Sequence, residues 1–284
     1  MSLNFKIIES TDISEFQNEF TEIEKNITYP LNNGKDSFII SHGNHYEQFF
    51  NDMGKTRFMI VHDSKKLCGA IAGVWKNIKV KNKEVCALYV ADLKIIPEYR
   101  GGKVALKMLF SALFKYIFYV KYKGWDFLYY VGMNGENGNV TKTFKGFHLG
   151  KLSKPICIQN IYIIDSDSLN DLSSYNHKES EDSTIELSPD NLNKIITNKG
   201  KKDIILSSSN ERMKLAHIHF QIDSNINSTL NKISRSIMNK YLDHSLCFAV
   251  DQRNKKFINF LDQNNISRNT TCTIYTFNWP IIGH

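Results

Sequence analysis

The stretch from Asp92 to Leu109, DLKIIPEYRGGKVALKML, leaves the backbone few choices. A β-branched run stops at Pro97, which has no N–H to give to a sheet ladder. Arg100, Gly101, Gly102 and Lys103 follow at once. Val104 then opens a run whose Met108, Leu109, Ala112, Leu113, Tyr116 and Val120 share one helical stripe. The chain must pass from strand to helix through a short glycine turn. Adjacent glycines allow angles and close approaches that a Cβ forbids. The first helical turn adds N–H donors without intrahelical acceptors and the positive end of the helix dipole. With Arg100 and Lys103, these groups make an anion site. From the glycines alone, a plain strand–helix connection with a basic pair explains the residues equally well.

The surroundings are a mixed α/β pattern. FKII (5–8) reads as a strand, DISEFQNEF as a helix through Ile13, Phe16 and Phe20, and HYEQFFNDM as a second short helix. RFMIVHD, LCGAIAGVWKNIKV and EVCALYVADLKII are separated by short polar turns and predict an antiparallel meander that leads into the junction. After the junction helix come the strand DFLYYVGM, the turn NGENGN, a short helix ending near Gly146-Phe147 and a strand pair through ICIQNIYII. Residues 165–184 are polar and nearly free of apolar periodicity, which predicts a linker over 166–184. KKDIIL, MKLAHIHFQI, LCFAV and TTCTIYTFNW then read as strands, with helices over Ser228 to Leu242 and NKKFINFLDQN. The expected organisation is a first unit over 1–165 and a smaller C-terminal α/β unit over 185–284, each within the usual domain range.

Composition narrows the class. Of the 284 residues, 42% are hydrophobic and 23% charged, as in ordinary globular proteins. The net charge of +7 suits an acidic small-molecule ligand and equally a weakly nucleic-acid-binding surface. Cys68, Cys86, Cys157, Cys247 and Cys272 form no C-x-x-C pair, which argues for a reducing compartment and against a zinc site. No basic-then-apolar leader is evident, and no apolar run reaches the ~18 residues of a membrane helix. A cytoplasmic protein with no membrane partner is expected.

L-x-(I/V)-x-P-x-x-R-G-G-x-x-A behind a three-strand meander resembles the central motif of the GNAT superfamily of acyl-CoA-dependent N-acyltransferases. NGEN…TFKGF is similar to that family's next motif, and the order of elements matches over residues 1 to about 165. The resemblance implies a GNAT-like, mostly antiparallel central sheet flanked by helices, with acetyl-CoA as co-substrate and no metal. It implies that the backbone of Leu93, Lys94 and Ile95 holds the pantetheine arm. Arg100, Gly101, Gly102, Lys103, Val104 and Ala105 would wrap the pyrophosphate, and Asn134 or Asn137 would lie near the arm where two strands splay. The family usually has R-x-x-G-x-G/A, whereas Lys103 stands at the fourth position here. Lys142 replaces the tyrosine that often serves as general acid.

Acyl transfer to an amine needs a neutral nucleophile, a polarised carbonyl and a proton donor for the thiolate. The resemblance implies direct attack, with a backbone N–H near Ile95 as oxyanion donor and Asp92 beside the acyl group. An Asp92 paired with Lys94 or Arg100 as a strand-end carboxylate is the competing reading. Tyr129 and Tyr130 point to opposite faces of their strand, and Tyr130 is the candidate acid. His217 and His219 share a strand face but lack an evident third ligand, so no metal is expected. His42 and His45 fall where the family's acceptor-binding helices would lie. The expected partner is a small-molecule or peptide amine acceptor, not nucleic acid, and a homodimer stays open.

The C-terminal segment echoes the second half of the same fold, without arginine or glycine at its corresponding junction. A degenerate GNAT-like half would continue the first unit's sheet or pack beside it; an unrelated α/β cap is the alternative. For the whole chain, a coenzyme A-binding or regulatory module without turnover is the second functional class. An aminoacyl-tRNA-dependent transferase is a third.

Overall fold

The computed structural model of the protein describes residues 3–31, 35–63, 66–80, 83–100, 103–118, 124–135, 138–139, 153–165, 168, 185–186, 196–197, 201–218 and 243–277. In chain order, β1 (Asn4–Glu9) runs through a 3-10 turn into α1 (Gln17–Lys25), followed by β2 (Thr28–Leu31), β3 (Asp36–Ser41) and α2 (Gln48–Asn51). The meander is β4 (Lys55–His62), β5 (Leu67–Val80) and β6 (Lys83–Ile95). A 3-10 turn at Pro97–Tyr99 then leads to α3 (Val104–Phe118). Next come β7 (Phe127–Gly135), β8 (Gly138–Asn139), β9 (Ser153–Ile164), β10 (Ile185–Glu186) and β11 (Ile196–Thr197). The chain closes with β12 (Asp203–Leu206), β13 (Arg212–Met213), β14 (Leu215–Ile218), β15 (Ser245–Asp251), α4 (Lys255–Gln263) and β16 (Thr270–Phe277).

One sheet runs through both halves in the order β1-β4-β5-β6-β7-β16-β9-β15-β14-β11. Its pairs are antiparallel except β6 with β7 and β14 with β15. The order is symmetric about the β9–β16 pair. Each half contributes a parallel pair and then a further strand, and that strand crosses to the other half: β16 pairs β7, and β9 pairs β15. The sheet of the first half therefore continues into the second. A smaller sheet, β13-β12-β3-β2, joins the hairpin β2–β3 to a strand from the second half, with Asp203 opposite Ser41.

Alternation along the strands divides the core. Phe58 and Ile60 face α1 and α2 with Phe20, Tyr46, Phe50 and Ala91. Met59 and Val61 face the opposite side, where Met108, Leu109 and Ala112 of α3 pack on Leu88, Ile95 and Tyr130. A fully buried side chain of this size contributes roughly 1.5–3 kcal/mol. The small sheet covers the first of these faces further along, where Leu31, Phe38, Ile204 and Leu215 pack with Met133 and Cys247. Among the described residues, no helix is long and apolar enough to cross a membrane.

The structure corrects one sequence expectation and adds one element that the sequence reading does not contain. ICIQNIYII lies within one strand of 12 residues and is not a strand pair; the strand runs between β15 and β16, with a register shift against β16 at Ile156. TYPL and DSFIIS form the β2–β3 hairpin, which periodicity alone does not reveal in such short strands. Val120, the helix near Gly146-Phe147 and the helix expected over Ser228 to Leu242 lie outside the described residues.

In a fragment of residues 1–165, both neighbours of β9 and the outer partner of β7 would be missing. That fragment should run as an aggregate or self-associated species in size-exclusion chromatography. Co-expression with residues 166–284 should return a soluble complex. A monomeric, cooperatively folding fragment 1–165 would contradict the strand exchange.

Candidate active site

β6 carries one residue more than β5 between the pairs Ala72↔Ala91 and Ala70↔Lys94. The extra residue makes a β-bulge. Asp92, at this point, has a φ of 54°, in the left-handed region that favours glycine. The bulge turns Asp92 and Lys94 toward the α1–α2 face, while Leu93 and Ile95 join the core on the α3 face. Asp92 is 9% exposed and Lys94 1%. Asp92 is therefore not a strand-end surface carboxylate, although the expected pairing with Lys94 is present.

The Lys94 ammonium lies 2.7 Å from both Asp92 Oδ2 and Glu24 Oε1, and 4.7 Å from the centre of the Tyr46 ring. Tyr46 donates its hydroxyl to Asp92. His42 binds Glu24 twice, through its backbone N–H at 3.0 Å to Oε2 and through Nδ1 at 2.5 Å to Oε1. One buried ammonium thus ties α1, the segment after β3 and the bulge of β6 together. Burial alone would raise the Asp92 pKa; the Lys94 charge, then His42, and the hydrogen bonds from Lys94 and Tyr46 outweigh it and bring it to about 2. Glu24 is also lowered: burial opposes this, and Lys94 followed by His42 overcomes it. Burial, then Lys94, lower the His42 pKa, against the hydrogen bond and charge of Glu24. Burial and the Asp92 charge push the Tyr46 phenol well up, and it stays protonated.

Ligand atoms of Glu24, His42 and Asp92 lie within 4.8 Å of one another, a spacing that suits a metal. The Lys94 ammonium, bonded to both carboxylates, already supplies the positive charge there.

β6 and β7 pair only as far as Val90↔Tyr130, while β6 runs on to Ile95 and β7 to Gly135. The strands part immediately beside the bulge. Ile96 N–H is bonded to Cys68 O of the β5 side at 3.1 Å, so alternation turns the N–H of Ile95 to the opposite edge, into the wedge. The Arg100 side chain caps this edge, with Nε donating to Ile95 O at 2.9 Å and Nη2 to Asn26 O at 3.2 Å. The Arg100 backbone N–H is bonded to Pro97 O at 3.1 Å, so this N–H and the guanidinium both have protein partners.

Lys103 is exposed, has a φ of 61°, and accepts from Lys107 N–H at 2.9 Å as α3 begins. The lysine at the expected glycine position thus adopts the backbone a glycine would take. Val104 is buried and Ala105 half-buried against the α3-side core. Gly101, Gly102 and Asn137 lie outside the described residues. Asn134 is half-buried and held by β16, donating to Thr271 Oγ1 at 3.1 Å and accepting from Thr273 Oγ1 at 3.2 Å.

Tyr129 and Tyr130 do face opposite sides. Tyr129 stacks on Tyr89 at 4.8 Å on the Asp92 side of the sheet. Tyr130, on the α3 side, shares a 2.7 Å hydrogen bond with Ser153 and stacks on Tyr275 at 5.0 Å. Burial lifts its pKa to about 12. As the last β7 residue paired with β6, Tyr130 marks the apex of the wedge. Asp92 and Tyr130 thus flank the wedge from opposite faces and do not touch.

Sequence reasoning missed Glu24 and Tyr46 as members of this site. Glu24 had a readable signal: a carboxylate among Phe20 and Ile23 on the buried stripe of α1.

No protein-family model matches the sequence, and no curated protein matches it. Among solved structures, a tandem GNAT protein from the clavulanic acid biosynthesis pathway, without AcCoA, matches over 97% of this chain and 98% of its own, with a TM-score of 0.55 at 10% identity. Saccharomyces cerevisiae N-myristoyltransferase with bound myristoyl-CoA and inhibitors matches over 98% of this chain and 80% of its own, with a TM-score of 0.51 at 11% identity. The chain has a GNAT-like fold made of two GNAT halves.

Two outcomes follow for solution measurements. The depressed Asp92 pKa means that its ionised form stabilises the fold above about pH 4, by ~2 kcal/mol, and that this is lost as pH falls toward 2. Asp92→Asn should flatten that part of the acid-unfolding curve, and an unchanged acid limb would contradict the pairing. Lys103→Gly should keep or raise stability by up to ~1 kcal/mol, because lost strain outweighs added unfolded-chain entropy, whereas Lys103→Val should cost about 1–2 kcal/mol in urea unfolding.

Proposed function

We propose that the protein is an acyl-CoA-dependent N-acyltransferase that transfers acetyl from acetyl-CoA to a primary amine by direct attack. The observation that carries this reading is the wedge between β6 and β7, opening beside the Asp92 bulge with the Ile95 N–H turned into it. An extended pantetheine arm fits along Leu93, Lys94 and Ile95 as an added strand would. At the far end, the first turn of the 15-residue α3 and the exposed Lys103 suit the pyrophosphate. Arg100 would shape the wedge rather than grip phosphate, since its donors serve Ile95 and Asn26. Gly101, Gly102, Val104 and Ala105 complete the proposed cradle. Asn134 and Asn137 complete the arm's β7 side.

The Ile95 N–H would polarise the thioester carbonyl. The acceptor ammonium gives up one proton, and the free amine attacks the carbonyl carbon; as the C–S bond breaks the nitrogen releases its second proton to solvent, the thiolate takes up a proton, and its donor is reprotonated from solvent. The two faces of the wedge divide these tasks. Asp92, held ionised, draws the acceptor's ammonium from the α1–α2 side and passes its proton to water. Tyr130, protonated at neutral pH, is the proposed donor to the thiolate from the α3 side.

Calorimetry should detect binding of acetyl-CoA, and thiol release should then require an amine. Asp92→Asn should lower kcat/KM for the amine by about 10- to 100-fold with unchanged coenzyme A affinity. Tyr130→Phe should act on kcat, by on the order of 100-fold. Absence of binding by acetyl-CoA and longer acyl-CoAs alike would sink the reading. Binding without thiol release across an amine panel would instead identify a coenzyme A-binding module.

A further inference from the structure

Three consecutive residues lead the second half onto the site. Lys201 is bonded to Asp52 at 2.7 Å, and Asp203 accepts from Arg212 Nε at 3.0 Å and Leu215 N–H at 3.2 Å. Both neighbours are thus tied down, and the register Asp203↔Ser41 sets Lys202 opposite His42. Lys202 itself is half-buried and has no carboxylate within ion-pair distance among the described residues. Its ammonium sits 4.2 Å from the centre of the buried Phe49 ring. Lys94, Arg57 and Arg253, by contrast, each meet a carboxylate.

The same Phe49 ring gathers two imidazoles. His42 lies 5.7 Å from it and His217 of β14 lies 5.3 Å from it, both edge-on. His42 is 1% exposed and its Nε2, across the ring from the Glu24-bonded Nδ1, has no hydrogen-bond partner among the described residues. A buried imidazole nitrogen without a partner costs free energy that a ligand can recover. The Asp92 and Glu24 charges of the first half favour the charged form of Lys202 and the Lys94 charge opposes it, with no ion pair to Lys202 among the described residues. Burial weakens the charged form of Lys202, which an incoming anion would restore.

We infer that the acceptor is an amine that also carries a carboxylate, with the carboxylate received by Lys202 beside Phe49 and the amine directed to Asp92. The inference rests on the acyltransferase reading for its use of the amine, but the carboxylate subsite is testable without turnover. An amino acid zwitterion has the matching pair of charges.

The test compares the proteinogenic L-amino acids with their C-terminal amides on the full-length protein. With acetyl-CoA, the preferred acid should exceed its amide in kcat/KM by tenfold or more. Lys202→Met should reduce that ratio to near one, and Lys202→Arg should retain most of it. Coenzyme A affinity serves as the check that each variant is folded. A ratio near one in the wild type, or one that survives in Lys202→Met, overturns the inference. If no amine is acetylated, saturation-transfer NMR separates the two readings. Acids binding in preference to amides, with the preference lost in Lys202→Met, upholds the subsite while the transferase reading falls. Equal binding, or no binding of any acid, overturns the subsite.

Discussion

A single ammonium group organises this molecule. Lys94 emerges from the middle of a sheet, where a charge is costly unless it is paired and hydrogen-bonded. Its partners come from three places: Glu24 from α1, Asp92 from the bulge of its own strand, and the Tyr46 ring from the segment before α2. None of these groups would be tolerable there without the others. Removing Lys94 would leave two buried carboxylates without their cation, so helix, hairpin exit and strand are fixed relative to one another through it. The extra residue in β6 makes this arrangement reachable, since without it Asp92 and Lys94 could not both serve the α1–α2 face.

The same bulge marks where β6 and β7 part. A strand that bends away from its neighbour gives up ladder hydrogen bonds, which only a ligand or water can replace. The ionic cluster supports the bend from one face and the α3 packing of Leu93 and Ile95 supports it from the other. The lost strand pairing is thus confined to a short edge, with rigid walls on both sides. Asp92 and Tyr130 stand at this edge without contact because the sheet lies between them.

Much of the first half was legible because its strands are long and its breaks abrupt. Pro97 ends β6, Val104 begins α3, and the apolar runs of β4 and β5 alternate between two helical layers. The position of Asp92 beside the junction could also be read, but its burial could not: a carboxylate near a lysine looks the same in sequence whether it is solvated or enclosed. The bulge escaped notice because it depends on a register between two strands, not on a residue type. Lys103 is the instructive case. Its side chain departs from the glycine pattern, yet its backbone keeps the left-handed geometry that pattern encodes. The β2–β3 hairpin leaves only a local trace, NNG between TYPL and KDSFIIS, because its strands are too short to show a period of their own.

What no local pattern could give is the exchange of strands. β9 and β16 each follow the parallel pair of their own half, and each pairs with a strand of the other half. Two halves joined in this way cannot separate without opening both sheets. The small sheet adds a second tie on the face of the site, where β12 borrows β3 as its partner. That borrowing brings Lys202 and His217 to the same phenyl ring as His42. The first half supplies the two carboxylates and the ammonium of the cluster, and the second supplies one further cation, Lys202, beside Phe49. The pairing of β12 with β3, rather than any local sequence pattern, is what brings that cation to the first half.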